Sequence, residues 1–312
     1  MNSIPIHSSW YVIFNPVGGR ARRSVNRHKV ESALRAAGID YELQQTGHAD
    51  DAQKLATEAF LNGFRRFVVA GGDGTAHDVL NGLLTAQSSH PGEVTIGILP
   101  LGTGNDWART LGIPRKLTDA CLLLKNGRAV SSDVGTVAYI KQEQTETRYF
   151  INIAGAGFDG HVVRLVQGRP SGRMQYLFGL IKACRSFQAP QLSIQADNWQ
   201  HTGPVLAVFV SNGSFLGGGM RIAPQAKYDD GLFEVTVIKN IRPLNILLHI
   251  PILLFGTIAN SRYVLTTQAG LVTIDGSADT QADGEFLGHP PATFRIIRNA
   301  IKVMINPTSL RD

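Results

Sequence analysis

Between residues 10 and 100 the chain alternates runs that suit strands with runs that suit helices, and this rhythm restricts the fold more than any other feature. "WYVIFN" (10–15) is a continuous apolar run of strand length. "SVNRHKVESALRAAG" (24–38) carries apolar residues at helical spacing and stops at Gly38. "YELQQT" (41–46) reads as a strand and "DDAQKLATEAFLNG" (50–63) as a helix ended by glycine. "RFVVAGG" (66–72), the helix after it and "VTIGILP" (94–100) repeat the unit. Such alternation predicts a parallel sheet covered on both faces, with ligands bound beyond the carboxyl ends of the strands. The stretches "NPVGG", "AGGDGT" and "PLGTGND" each follow a predicted strand, so they are expected to meet on one edge.

The pattern changes near residue 133. From there on β-rich stretches separated by turn signals dominate, among them "PQLSIQAD", "GPVLAVFVSNG", "LFEVTVIKN" and "TFRIIRNAIKVMINP". Helical candidates remain only around 158–188 and 243–259. The expected organisation is an α/β domain over 1–135 followed by a mainly antiparallel β domain over 136–312.

Bulk properties remove several function classes. Hydrophobic residues at 43% and charged residues at 17% describe a folded globular chain, not a disordered one. The formal charge of +6 has one local concentration, "RARRSVNRHK" (20–29), read as a solvated helix face or a patch for phosphates or lipid headgroups. No aromatic residues interleave with these basic ones, which argues against nucleic acid. Two cysteines, Cys121 and Cys184, have neither metal-site nor redox spacing and fit a reducing compartment. The N-terminus lacks a signal-peptide pattern. "PLNILLHIPILLFGTIA" (243–259) is too short to span a bilayer; it reads as a buried helix, or more sharply as one dipping into a membrane surface. A cytoplasmic protein, at most peripheral at the inner face of a membrane, is expected.

The glycines of "VVAGGDGTAHDVLNGL" (68–83) suggest a ligand. At a strand-to-helix junction glycines take positive φ cheaply and let a ligand touch the backbone, and the helix start favours a phosphate. Gly71, Gly72, Gly74 and Thr75 suit that role. Asp73 would repel polyphosphate unless a cation lies between them, so it reads as a Mg²⁺ ligand, direct or through water. "PLGTGND" repeats the logic with Thr103 as a hydroxyl donor and Asp106 as a second acid. Asp133 in "SSDVGTV" could be a third. Taken alone, Asp106 suits a helix cap and Asp133 a turn. No P-loop and no protein-kinase signature set occurs. "GAGFDG" (155–160) has the GxGxxG form, but no acid follows at the ribose-binding distance, so it reads as turn and packing glycines.

These residues carry a resemblance. "GGDGT" followed by "VLNGL" and "PLGTGND" resembles the diacylglycerol kinase catalytic family, which includes bacterial soluble lipid kinases and sphingosine kinases. The likeness extends over nearly the whole chain, through "FNPVGG" (14–19), "TGHADDAQKLA" (46–56), "DVGTV", "FINIAGAGFDG", "VSNGSFLGGGMRIAPQAKYDDGLFEV" (210–235) and "ADGEF" (282–286). It implies an α/β domain of the NAD kinase and phosphofructokinase type joined to a β-sandwich domain. It also implies that Asn15, Thr46, Gly71, Gly72, Asp73, Gly74, Thr75 and Thr103 bind ATP. By the same likeness Asp73 engages Mg²⁺, with Asp106 and Asp133 in its acidic network. Asp230 would supply a carboxylate to a structural metal, and Lys227 and Leu232 backbone carbonyls. The catalytic base falls in "DGE", with Asp283 preferred and Glu285 second. The sequence departs from the family pattern at His77 and Asp78, where an Asn-Glu pair is usual, and at Trp107, where phenylalanine is usual.

The expected reaction is transfer of the ATP γ-phosphate to a lipid hydroxyl, of diacylglycerol or a related glycerolipid or sphingoid base, with ATP in a cleft between the domains. Residues 243–259 and "SFLGGGM" (214–220) are candidates for receiving the lipid. Two other readings stay open. A soluble-metabolite kinase of the NAD kinase or phosphofructokinase type would share the GGDG loop, and a non-catalytic nucleotide-binding regulator would accommodate His77. A homodimer stays open too, as does which lipid is used.

Overall fold

The computed structural model describes residues 6–17, 25–48, 50–87, 92–166, 187–240 and 261–306. Segment 243–259, Cys184 and the front of the basic run at 20–29 lie outside the described residues. The chain divides into two compact units, Met1–Asp133 with Arg298–Asp312, and Val134–Ile297.

The first unit follows the βα rhythm: β1 (Trp10–Phe14), α1 (Arg27–Ala36), β2 (Tyr41–Gln45), α2 (Asp51–Leu61), β3 (Arg66–Gly71), α3 (Asp73–Ala86), β4 (Thr95–Pro100), α4 (Asp106–Thr110), α5 (Leu117–Asn126) and the start of β5 (Arg128–Lys141). β2, β1, β3 and β4 are parallel neighbours in that order. All five residues of β1 are buried, as a strand covered on both faces requires. The edge strand β2 buries only Leu43. The helices lock against one another at small residues. A Cβ on Gly82 of α3 would stand 2.3 Å from the Gln53 carbonyl oxygen of α2, and the Thr57 hydroxyl donates to Gly82 O at 3.1 Å.

The second unit continues with β5 and then β6 (Gln144–Phe150), β7 (Ile153–Gly157), α6 (Phe158–Val166), β8 (Gln191–Ala196), β9 (Trp199–Ser211), β10 (Phe215–Leu216), β11 (Met220–Arg221), β12 (Phe233–Lys239), β13 (Val264–Ala269), β14 (Leu271–Gly276), β15 (Thr280–Ala282) and β16 (Glu285–Ile305). β13, β12, β9, β7 and β15 are successive neighbours and antiparallel throughout. Alternation along these strands sends Ala154, Ala156, Val208, Val210, Val235 and Val237 to one face, where they pack with Leu192, Ile194, Val272, Ile274 and Phe294 in a sandwich core. Phe150 joins Phe233 and Phe294 in that core at 5.5 and 6.3 Å between ring centroids. The opposite face presents Ile153, Ala207 and Phe209 to Phe158 and Val162 of α6. β16 leaves this unit near Ile297, and its last residues pair parallel with β4 of the first unit through Lys302–Thr95 and Val303–Ile96. The fold is thus a parallel α/β unit and an antiparallel β-sandwich unit. Among the described residues no helix is long and apolar enough to cross a membrane.

Candidate active site

In the first unit the glycine-bearing loops after β3 and β4 meet at the carboxyl ends of those strands, and Asn15, just after β1, reaches them; Gly18 and Gly19 lie outside the described residues. Gly72 caps α3 with extended backbone, φ −107°, and none of Gly71, Gly72, Gly74 or Gly102 has positive φ. The glycines therefore serve close approach and not an unusual dihedral, a correction to half of the reason expected from the sequence. A Cβ on Gly102 would stand 2.5 Å from Gly72 Cα, and one on Gly71 2.6 Å from Thr75 Oγ1. The Leu101 and Gly102 amides both donate to Gly71 O, at 2.9 and 3.1 Å. Gly74 differs: a Cβ there would meet nothing within 4 Å. The first turn of α3 is thus tightly buttressed behind and open at Gly74.

Several sequence-expected residues converge on this turn. Asn15 Nδ2 donates to Thr75 Oγ1 at 3.0 Å, and Asn15 Oδ1 accepts the Val17 amide at 3.0 Å. Asp73 Oδ1 accepts the Trp107 amide at 3.2 Å, which ties it to the first turn of α4, where Asp106 is buried. Asn105, at φ 52°, donates from Nδ2 to Gly102 O at 2.7 Å and so braces the same loop. Thr103 is exposed on that loop. Asn15 and Thr46 line a cavity of about 360 Å³ together with Val17, Gly47, His48, Ala52 and Asp78. Its rim is fixed by Asp51, whose Oδ2 accepts the amides of Gly47 and His48, each at 2.8 Å. Those two N–H groups hold the Asp51 carboxyl below the usual carboxylate range.

The departures from the family pattern land differently. Asp78 lies on the cavity wall, so an acid is retained there with a shorter reach. His77 is buried within α3, with its Nε2 3.2 Å from Asn81 Nδ2. Asp133 is also buried, and its Oδ1 accepts the Asn299 amide at 2.8 Å. Among the described residues no three His, Cys, Asp or Glu side chains converge so as to hold a metal ion by themselves.

In the second unit "DGE" is a hairpin turn. Ala282 and Glu285 face each other across β15 and β16, and Asp283 and Gly284 between them have φ 48° and 87°, the left-handed pair of a two-residue turn. The Asp283 carboxylate then reaches back to the start of β7. Its Oδ2 accepts the Ile151 amide at 2.8 Å, and its Oδ1 the amides of Asn152 and Ile153 at 3.0 and 3.1 Å. Glu285 stands just beyond the turn, half-buried.

Lys227 and Asp230 are exposed on the loop before β12, and Asp230 Oδ1 accepts the Leu232 amide at 3.0 Å. Buried Glu234 ties the loop down by accepting the Gln225 amide at 2.7 Å, and burial pushes its carboxyl up. Motif reading does not find two further acids on the α6 side of this sheet. Asp159 has a buried Oδ2, and burial pushes its carboxyl up to about 7, with the Gln281 amide opposing. Asp279, also buried, lies among His161, Arg164 and His289. A titratable group inside the glycine stretch "GAGFDG", between Gly157 and Gly160, was the signal available for Asp159. Nothing local marks Asp279, because its partners come from α6 and β16.

Comparison with known proteins agrees with this architecture. Residues 9–137 match the diacylglycerol kinase catalytic domain, and residues 152–305 match the YegS C-terminal NAD kinase beta sandwich-like domain. The chain is 30% identical over 303 residues to "Diacylglycerol kinase" of Bacillus subtilis (strain 168), covering 94% of this chain and 95% of the relative. It is 31% identical over 292 residues to "Probable lipid kinase YegS-like" of Pseudomonas fluorescens, covering 92% of each. Among solved structures, a diacylglycerol kinase from Bacillus anthracis str. Sterne superposes with a TM-score of 0.71 at 23% identity over 96% of this chain and 97% of that one. Yeast NADH kinase shares the fold at a TM-score of 0.54 and 11% identity, over 96% and 83%. With family matches to both units and near-complete coverage of its relatives, the chain belongs to the diacylglycerol kinase catalytic family and is a lipid kinase.

Proposed function

We propose that the protein transfers the γ-phosphate of ATP, with Mg²⁺, to the hydroxyl of a membrane lipid, diacylglycerol or a related glycerolipid or sphingoid base. The observation that carries this reading is the first turn of α3. Its backbone is buttressed by Gly102 behind, open at Gly74 in front, and flanked by an Asp73 carboxylate fixed on the Trp107 amide. Helix N-H groups there suit the phosphates. The nearby cavity lined by Asn15, Thr46 and His48 is of a size for the nucleoside end.

The donor set fits magnesium. Mg²⁺ is commonly held by one or two carboxylates together with substrate phosphates and water. Asp73, with Asp106 one turn start away, supplies that number, whereas a cage of protein ligands alone is not present among the described residues. When bound, the ion neutralises charge on the β- and γ-phosphate oxygens. Asp133, anchored to the Asn299 amide, supports the wall of the same unit.

The roles within "DGE" divide. A carboxylate has about four lone-pair sites, and Asp283 commits three to backbone amides. We assign Asp283 as a positioning residue that sets the turn and Glu285 as the proton acceptor for the lipid hydroxyl. Late proton transfer in a loose transition state makes a carboxylate adequate for this. Lys227, Asp230 and Leu232 remain the candidates for a structural cation, Asp230 by its carboxylate and the others by their carbonyls.

The experiment is phosphate transfer from γ-labelled ATP with Mg²⁺ to lipids in mixed micelles. Label in the organic phase supports the reading. Label only in water-soluble product from a metabolite panel would replace it with the soluble-metabolite reading. ATP binding without transfer to any lipid would leave a nucleotide-binding regulator.

A further inference from the structure

The first turn of α6 holds a carboxyl that the roles assigned above do not use. Asp159 Oδ2 is sealed from solvent and has no hydrogen-bond partner among the described residues, while the Gln281 amide faces the carboxyl. Gln281 Nε2 is sealed too and has no closer hydrogen-bond partner, which leaves the Asp159 carboxyl as the acceptor it addresses. A sealed carboxyl oxygen without a partner costs stability that an apolar side chain of the same size would not. Such local costs gather where a protein positions its chemistry.

The other end of the Gln281 amide is engaged at the "DGE" turn. Its Oε1 accepts the Gly284 amide at 2.9 Å. Gln281 is fully buried, and its neighbour Ala282 belongs to the sandwich core, so alternation along β15 turns Gln281 toward the α6 side. The register of β15 and β16 shifts between Thr280, opposite Gly288, and Gln281, opposite Phe286. A bulge of this kind re-aims a side chain beside a site. The helix end of the chain is equally fixed. Gly157 N donates to Asp279 O at 2.9 Å, and a Cβ on Gly160 would stand 2.1 Å from that same oxygen, so the first turn of α6 rests on the start of β15.

Gly284 lies between Asp283 and Glu285. On the Asp283 side the turn is fastened by three amides to the start of β7. Packing adds little at Gly284 itself, where a Cβ would meet nothing within 4 Å. The Gln281 carbonyl restrains that amide instead, and its orientation depends on what Nε2 meets at the other end. Rotation of the Gln281 amide would release Gly284 and let the next residue, Glu285, shift. A misplacement of about 1 Å in a reacting group can cost roughly 100-fold in rate. Both protonation forms of the Asp159 carboxyl offer an acceptor oxygen to Nε2, so the link does not depend on its charge.

Resting on the assignment of Glu285 as proton acceptor above, we propose that Asp159, acting through the Gln281 amide, is a positioning residue that holds Glu285 in place for the transfer step. Gln281 is the relay between the first turn of α6 and the "DGE" turn.

The test measures kcat and KM for γ-labelled ATP with Mg²⁺ and mixed micelles containing diacylglycerol, phosphatidylglycerol and sphingosine. Asp159→Leu removes the acceptor at similar volume, Asp159→Asn keeps one, and Gln281→Met removes both ends of the relay at similar length. Asp159→Leu and Gln281→Met should lower kcat by roughly tenfold or more with KM for ATP little changed. Asp159→Asn should recover most of what Asp159→Leu loses. Combined with Glu285→Gln, either substitution should add less than about a twofold further loss, because the group being positioned is already gone. A kcat left unchanged by Asp159→Leu and Gln281→Met overturns the proposal. So do losses that multiply in full with that of Glu285→Gln, as a general loosening of the fold would give.

Hydrogen exchange at the Gly284 amide reads the same link without turnover. It should quicken roughly tenfold in Asp159→Leu and Gln281→Met and stay slow in Asp159→Asn. If no lipid accepts phosphate, or Glu285→Gln keeps the wild-type kcat, the reading of Glu285 as base fails. Exchange then decides alone whether Asp159 fixes the turn, and wild-type protection of Gly284 in Asp159→Leu overturns it. Should one of the two variants not melt cooperatively, the other carries the decision.

Discussion

Gly72 and Gly102 touch backbone to backbone, so that a Cβ added to Gly102 would stand 2.5 Å from Gly72 Cα. This contact joins the loops after β3 and β4 and sets the first turn of α3. Gly102→Ala should therefore destabilise the protein by about 1–3 kcal/mol, the usual cost of overpacking a tight contact. Gly74→Ala is the contrast, because the space around it is open and alanine favours a helix. Thermal melts should show Gly74→Ala at least as stable as wild type. Its KM for ATP should rise, since the added methyl occupies the approach to the phosphates. An unchanged KM would place the phosphates elsewhere.

Asp283 and Glu285, two residues apart, should respond in opposite ways. Asp283→Ala strands the amides of Ile151, Asn152 and Ile153. A loss of about 1–3 kcal/mol in stability is expected, the penalty for an unmet buried donor. Glu285→Gln should keep the melting temperature and lose kcat by roughly 10²–10⁴-fold, the range for a general base. Melts and single-turnover kinetics of the pair check this; full activity in Glu285→Gln would return the base role to Asp283.

Asp159 predicts a pH dependence of stability. Its carboxyl titrates at about 7 in the fold against 3.8 as the ordinary value, because burial favours the protonated form. Between those values the unfolded chain gives up a proton that the folded one retains, so this residue's contribution is present at low pH and lost as pH rises toward 7. Asp159→Asn removes the effect. The melting temperature of the variant relative to wild type should therefore be higher near pH 8 than near pH 4. A difference that does not vary with pH would show that the Asp159 carboxyl titrates normally.

Asp51 holds the rim of the nucleotide cavity through the amides of Gly47 and His48. Because it is half-buried and the two amides lie at the rim, Asp51→Ala should cost only a small part of the stability. It should raise KM for ATP several-fold with kcat little altered, as loss of a positioning contact does in steady-state kinetics. An unaltered KM would dissociate this cavity from ATP.

Much of the first unit was legible because each element announces itself locally. Gly38 and Gly63, at φ 66° and 98°, end their helices where the sequence places the stops. The apolar runs of β1 and β3 need no partner to be recognised. What stayed illegible depends on distant residues. α4 is five residues long, too short to show a period. β16 reads as one more antiparallel strand, and nothing in "AIKVMI" reveals that Lys302 pairs in parallel with Thr95. In the site, the family's likeness led to Asp283, but only the structure shows three amides on its carboxylate. Asp279 stayed hidden for the same reason, its partners Arg164 and His289 lying 115 and ten residues away in the sequence.

The most direct measurement is calorimetric titration of ATP, with and without Mg²⁺, into wild type, Asp73→Asn and Gly74→Ala. Wild type should bind ATP·Mg²⁺ in the micromolar to millimolar range and more weakly without the ion. Asp73→Asn should lose most of that magnesium-dependent gain while melting like wild type, and Gly74→Ala should bind more weakly in both conditions. Equal ATP affinity in all three proteins, with or without Mg²⁺, would contradict the assignment of residues 71–75 as the triphosphate cradle.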